Sequence, residues 1–252
     1  MQNVLIAGAG KSASVLINHM LQNSKNQWNV TLMDANEKTV LEKLNNHPNG
    51  IPAIINVLDA KERKALVAKA DIVISILPPT LHYLLAQDCI EYNKHLITSS
   101  YMSDDIKALH EIAQSKQLLF MCEMGLDPGI DHMSTSALME GILKIAGEVT
   151  SFKSFCGGLM DPDQAINPWH YKVTWNPKNI INAAKTGAIW KDNNKEIHLN
   201  HQEIFNYYKT IKVEGLGTYA YYPNRDSLKY LAYYPVEHAK TFMRATIRPT
   251  IY

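Results

Sequence analysis

Cysteine is scarce in this sequence: Cys89, Cys122 and Cys156 stand far apart and odd in number. That excludes a disulfide framework or a metal knuckle, so no metal is expected, and it fits a reducing cytoplasm. A surplus of one charge is missing too, since 25 basic and 24 acidic residues leave a net charge of +1. Without a basic stripe or an acidic tail, nucleic acid and membrane surfaces are excluded as main partners. No apolar run approaches the roughly 20 residues that cross a bilayer. The N-terminus runs straight into the strand-like Val4-Leu5-Ile6-Ala7, without the charged start and longer apolar core of a secretory signal. With 46% hydrophobic residues, the chain can bury proper cores. A globular, cytoplasmic protein of one large or two ordinary domains is expected.

Behind the first strand stands Gly8-Ala9-Gly10-Lys11-Ser12-Ala13, then an amphipathic run over residues 14–22. Strand, glycine turn and helix come in the order of a dinucleotide fingerprint. Gly8 permits the tight turn, Gly10 lets backbone approach a pyrophosphate, and Ala13 lets the helix pack on the strand. A second strand over 29–33 ends in Asp34. A carboxylate there accepts hydrogen bonds from ribose hydroxyls and repels a 2′-phosphate, which favours NAD over NADP. The competing reading of Asp34 is a solvent-facing cap.

The alternation continues with a helix over 37–45, a strand over 53–57 and a helix over 61–69. Next come a strand over 71–77, a helix over 80–92, a strand over 94–98, a helix over 104–116 and a strand over 118–122. Strands alternating with helices imply a doubly wound parallel sheet, a Rossmann domain. Asn56 and Val57 close the third strand, and Ile76, Leu77 and Pro78 close the fourth beside the expected cofactor. Ser99-Ser100-Tyr101 follows the fifth strand. A tyrosine there can hydrogen-bond a substrate or move a proton, although packing is the commoner fate. His82 reads as a capping or satisfied core histidine, with no second ligand at helical spacing.

Near the midpoint lies Gly125-Leu126-Asp127-Pro128-Gly129-Ile130-Asp131-His132, a polar turn directly behind the sixth strand. It reads as the hinge and floor of a catalytic cleft at the sheet edge where ligands bind, or as an N-capped connection between two domains. After it the regular period is lost. Residues 152–158 read as a strand ending in Gly157-Gly158, and residues 167–175 as another strand. Arg225 stands in a turn-rich stretch, either as a bidentate carboxylate clamp or as a surface partner of Asp226. The boundaries expected are 1–125 for a dinucleotide-binding domain and 126–252 for an α+β substrate domain.

The segments GLDPGIDHM, FCGGL, NPWHYKVTW and YPNRDSLKY resemble signatures of the glutamate-forming saccharopine dehydrogenases, also called saccharopine reductases. ISILPPTLH and TSSYMS are similar to first-domain segments of that family, so the resemblance runs through the whole chain in order. It implies reversible oxidation of the secondary amine of saccharopine by a nicotinamide cofactor, giving glutamate and 2-aminoadipate 6-semialdehyde. Carried over position by position, it implies Ser100, Tyr101, Asp127 and Arg225 as substrate contacts and Trp175 near the cofactor. As general base the first choice is Asp127, placed at the strand end, then Tyr101 and Cys156, with Lys172 last.

Some positions depart from the family. Fungal members carry a basic residue where Asp34 stands, which leaves NAD or NADP open and aligns this chain with NAD users. Met160-Asp161 alters one cleft lip, and Trp169 and His170 add bulk to the substrate pocket. The family continues past residue 252, so the substrate domain is expected to be partial, with an exposed edge strand that favours a homodimer. Two other functions compete: an imine-reducing dehydrogenase of another conjugate such as carboxynorspermidine, and a truncated non-catalytic nucleotide-binding protein.

Overall fold

In the computed structural model, residues 1–161, 167–168, 171–172, 186–236 and 238–250 are described. They fall into two compact units, Met1–Ile130 and Asp131–Tyr252.

The first unit holds the strands β1 (Gln2–Ala7), β2 (Trp28–Asp34), β3 (Gly50–Ile54), β4 (Ile72–Ser75), β5 (His95–Thr98) and β6 (Phe120–Met121). All pair in parallel in the order β3-β2-β1-β4-β5-β6. This is the Rossmann order, with its crossover between β1 and β4. Alternation along β1 shows why the sheet is covered twice. Val4 and Ile6 point into one core with Ile17, Leu21, Val40 and Leu44, whereas Leu5 and Ala7 point into another with Val67, Leu85 and Leu96. The first core is closed by α1 (Ser14–Gln22) and α2 (Glu37–Leu44). The second is closed by α3 (Ala60–Lys69) and α4 (His82–Tyr92). Each fully buried aliphatic side chain contributes roughly 1.5–3 kcal/mol.

Two expectations are corrected here. The third strand is Gly50–Ile54 rather than 53–57, with Val30 opposite Gly50 and Asp34 opposite Ile54. Pro52 discourages a strand reading, but β3 is an edge strand, where a missing N–H costs no ladder bond. Asn56 and Val57 therefore lie beyond the strand in a turn, where Asn56 Oδ1 accepts from Leu58 N at 3.0 Å. The helix expected over 104–116 is two pieces, α5 (Asp104–Lys107) and α6 (His110–Ser115). A tight i→i+3 bond from Leu109 N to Ile106 O, 3.0 Å, interrupts it while still burying Ile106 and Ala113.

The second unit contains α7 (Ile130–Lys144), β7 (Ser151–Cys156), β8 (Ala188–Asp192), β9 (Lys195–Leu199), β10 (Lys209–Val213), β11 (Gly217–Pro223), β12 (Arg225–Asp226) and β13 (Thr241–Pro249). Among the described residues its sheet has seven strands, mostly antiparallel, with β7–β13 and β12–β8 parallel. The central strand is β13, because both faces carry core. Phe242 packs with Met139 of α7, Tyr234 and Val236, while Met243 and Ala245 pack with Trp190, Ile204 and Tyr221. The strand expected over 167–175 falls largely outside the described residues.

Candidate active site

The glycine turn follows directly from the strand it caps. Gly8 adopts φ +104°, and a Cβ there would lie 2.9 Å from the carbonyl oxygen of Ile76, so only glycine fits where β1 and β4 part. Ile76 N donates to Ala7 O at 2.8 Å and locks the same junction. Ile76 and Leu77 are half-buried beside this turn, and Pro78 is exposed. At Gly10 an added Cβ would meet nothing within 4 Å, so the turn is open on that side. No side chain caps the helical start over Lys11–Ala13, where Lys11 and Ser12 are exposed and Ala13 is buried. Uncapped N–H groups facing open space are what an anionic pyrophosphate requires. These residues fit a nicotinamide dinucleotide.

Asp34 ends β2 beside that turn. Its Oδ2 accepts from Ala9 N at 2.8 Å and its Oδ1 from Asn36 N at 2.9 Å, so the carboxylate is fixed by backbone donors. Lys43, from the last turn of α2, donates its ammonium to the carbonyl oxygen of Gly10. Partial burial lowers the pKa of Lys43, and the nearby Asp34 carboxylate works in the opposite direction. The end of β2 beside the glycine turn thus carries an anion and a cation together. Sequence reasoning singled out Asp34 but missed Lys43, which is nine positions away and looks like one more surface lysine.

At the carboxyl edge of β5 and β6, two segments are stitched together. Met124 N donates to Thr98 O at 2.9 Å and Glu123 N to Ser100 O at 3.0 Å, while Glu123 Oε1 accepts from Met102 N at 3.1 Å. The following loop closes on itself, with Gly125 N on Pro128 O at 2.8 Å and Ile130 N on Gly125 O at 2.9 Å. Glycine is demanded twice: a Cβ on Gly129, at φ +148°, would strike Gly125, and one on Gly125 would lie 2.9 Å from Ser99 O. This closure presents Asp127 to Tyr101, whose phenol donates to Asp127 Oδ1 at 2.9 Å. Both side chains are half-buried. Two candidates 26 residues apart in sequence therefore meet.

His82 is buried and satisfied, as one of its two sequence readings had it. Nδ1 lies 2.7 Å from Ser75 Oγ and Nε2 lies 2.8 Å from Ser100 Oγ. Burial pulls its pKa down to about 4, so the ring is neutral near pH 7. The link to Ser100 was not visible in the sequence, nor was the bracing role of Glu123.

The remaining candidates belong to the second unit. Cys156 ends β7 opposite Thr246 of β13, and Thr246 is flanked on its other edge by Tyr222. Arg225 follows β11 in a segment wedged between β13 and β8. Asn224 N donates to Arg244 O at 2.9 Å, and Ser227 N to Ile189 O at 2.8 Å. Arg225 has φ +55°, a left-handed conformation costly for a non-glycine residue. Asp226 turns the other way in its bonding, its Oδ1 accepting from Leu228 N at 3.0 Å. Trp175, Trp169 and His170 lie outside the described residues. Among those described, no cluster of His, Cys, Asp or Glu could hold a metal, and no helix is long and apolar enough to cross a membrane.

The family profile described as "Saccharopine dehydrogenase NADP binding domain" matches residues 4–121, and "Saccharopine dehydrogenase C-terminal domain" matches residues 125–250. An alpha-aminoadipic semialdehyde synthase of Arabidopsis thaliana is 36% identical over 97% of this chain and 25% of its own length. A saccharopine dehydrogenase [NADP(+), L-glutamate-forming] of Schizosaccharomyces pombe is 29% identical over 98% of this chain and 55% of its own. The solved apo saccharopine dehydrogenase (L-Glu forming) of Saccharomyces cerevisiae superposes with a TM-score of 0.86 at 28% identity, over 99% of this chain and 56% of that one. The chain thus spans between a quarter and about half the length of these relatives. Two adjoining profiles that carry one family's name account for nearly all of the sequence, and the chain belongs to the saccharopine dehydrogenase family.

Proposed function

We propose that this chain oxidises the secondary amine of saccharopine reversibly with NAD(P)+, releasing L-glutamate and 2-aminoadipate 6-semialdehyde. Family membership supports the reaction class. The single observation that carries the chemistry is the Tyr101–Asp127 pair at the carboxyl edge of the first sheet. Residues 1–125 are the cofactor half of this reading and residues 126–252 the substrate half.

The bound nicotinamide supplies a hydride acceptor. On the protein side, Asp127 takes the proton that the secondary amine loses as its C–N bond becomes C=N. Tyr101, donating to Oδ1, orients that carboxylate. Water then adds across C=N, and as the C–N bond breaks Asp127 returns its proton to the nitrogen while the new hydroxyl releases its own proton to solvent and becomes C=O. The nitrogen leaves as the amine of glutamate and the carbon as the aldehyde. Ser100 and Arg225 are assigned to substrate carboxylates on their chemistry, because a guanidinium is a bidentate carboxylate ligand. Cys156 is a secondary acid–base candidate, and Trp175 is assigned to the cofactor.

We infer that NAD is the preferred cofactor and NADP is tolerated. Asp34 disfavours a 2′-phosphate, and the ammonium of Lys43 offsets part of that repulsion. A cytoplasmic location and a homodimer are proposed, and the three cysteines form no disulfide with one another. Light scattering tests the dimer, and a monodisperse monomer contradicts it.

The reaction is tested by following reduced cofactor from saccharopine, with cofactor binding measured in parallel. Asp127→Asn is expected to lower kcat by about 10²–10⁴-fold while cofactor still binds. Near-normal turnover by that variant removes Asp127 as the base. Cofactor binding without turnover of saccharopine by the wild type leaves only a nucleotide-binding protein, and turnover restricted to another amino-acid conjugate redirects the reading to a neighbouring imine-forming dehydrogenase.

A further inference from the structure

Ser75, His82 and Ser100 form a polar chain inside an otherwise apolar part of the first unit. Ser75 closes β4, His82 opens α4, and Ser100 follows β5, so three elements contribute one group each. Ser75 and His82 are 0% and 1% exposed, whereas Ser100 is half-buried and is the open end of the chain. A neutral imidazole has one N–H and one lone pair, so the two hydrogen bonds must run in the same direction along the chain.

The buried end sets that direction. Among the described residues, the Ser75 hydroxyl has one hydrogen-bond partner, Nδ1 of His82 at 2.7 Å. An unpaired buried O–H donor costs more than an unused lone pair, so the Ser75 hydrogen goes to Nδ1. The ring proton then sits on Nε2 and points at Ser100 Oγ, 2.8 Å away. Ser100 is thereby filled as an acceptor on its inner side, and its own hydrogen is turned outward. The Tyr101–Asp127 pair follows in the next residue of the chain.

We propose that His82 is a positioning residue that holds Ser100 as an outward hydrogen-bond donor for an anionic group of the substrate, a carboxylate of the amino-acid conjugate. The assignment rests on the reaction proposed above. Burial supports it, because a ring kept neutral retains the lone pair that anchors Ser75. His82 touches no reacting atom and acts through Ser100 alone.

The test is a double-mutant cycle on the full chain, using His82→Met, His82→Gln, Ser100→Ala and the double variant His82→Met/Ser100→Ala. His82→Met is expected to raise KM for saccharopine about tenfold, with kcat and the Kd for NADH close to wild type. His82→Gln, whose amide can still donate to Ser100, recovers part of the loss. In the Ser100→Ala background His82→Met has no further effect on KM. Equal losses in both backgrounds, or a parallel change in the Kd for NADH, make His82 a packing residue and overturn the proposal. The ring tautomer is read independently by nitrogen NMR of the wild type, whether or not saccharopine is turned over. A proton on Nε2 is expected, with Ser100→Ala shifting that nitrogen and not Nδ1. A proton on Nδ1 reverses the chain and sinks the inference, while a correct tautomer in an enzyme inactive toward saccharopine points to failure of the reaction assignment instead.

Discussion

Arg244 and Asp131 form an ion pair at 2.8 Å, Nη2 to Oδ2, with side chains only 6% and 11% exposed. Asp131 is the second acid of the GLDPGID stretch, four residues after Asp127. Both carboxylates lie in one polar turn of the sequence, but the structure gives them different work. Asp127 meets the phenol of Tyr101, whereas Asp131 neutralises a buried guanidinium that also lies 4.5 Å over the ring of Tyr230. Tyr230 in turn stacks on His132 at 4.6 Å.

Breaking this pair from one side takes from a buried guanidinium the carboxylate held 2.8 Å from it. Asp131→Asn is expected to destabilise the second unit by about 3 kcal/mol. Replacing both partners by methionine should cost less than Asp131→Asn alone, since no charge is then stranded. Urea midpoints of the three proteins check this, and an unchanged midpoint in Asp131→Asn shows that the pair does not hold the unit together.

The first unit was largely legible because its signals are local. The glycine turn, the strand–helix alternation and the close of the fourth strand at Pro78 each act within a few residues, and the sheet order follows from short right-handed crossovers. The third strand was misplaced because the run Ala53-Ile54-Ile55 looks more strand-like than Gly50-Ile51-Pro52. What decided the register was pairing of Val30 with Gly50, a tertiary fact. The Tyr101–Asp127 contact came from family likeness, not from any period in the chain. Lys43, His82 with Ser100, and Arg244 with Asp131 were illegible for one reason: each partner is fixed only by folding, across 18 to 113 positions.

Cofactor choice should follow the two charges beside the glycine turn, those of Asp34 and Lys43. Lys43→Met leaves Asp34 unopposed and is expected to weaken NADPH binding about tenfold while NADH changes little, in line with one lost charge-assisted contact. Asp34→Ser should move the ratio the other way. Fluorescence titration with each cofactor decides it, and equal changes for NADH and NADPH in Lys43→Met would mean that Lys43 only braces the glycine turn through Gly10.

Tyr101→Phe separates orientation from proton transfer. If the phenol only orients Asp127, its removal deletes one hydrogen bond to a carboxylate, worth about 1.5–3 kcal/mol. A fall in kcat of roughly 10–100-fold is then expected, smaller than that of Asp127→Asn. Single-turnover rates measure the step directly. A loss as deep as that of Asp127→Asn makes Tyr101 itself the proton carrier.

Acid stability should report His82. Its pKa falls from the ordinary 6.5 to about 4 on folding, because burial disfavours the charged ring. The unfolded chain therefore takes up a proton that the folded chain refuses, and stability drops as pH falls from about 6.5 toward 4. Above that window His82 is neutral in both states and contributes no slope. Between pH 7 and pH 5.5 the loss from this one side chain is about 1 kcal/mol, growing to about 3 kcal/mol near pH 4. Urea midpoints across this range are expected to fall less steeply in His82→Gln, which cannot titrate. Identical slopes in the two proteins would show that the ring accepts a proton in the folded state as readily as in the unfolded one, and that the chain from Ser75 to Ser100 does not hold it neutral.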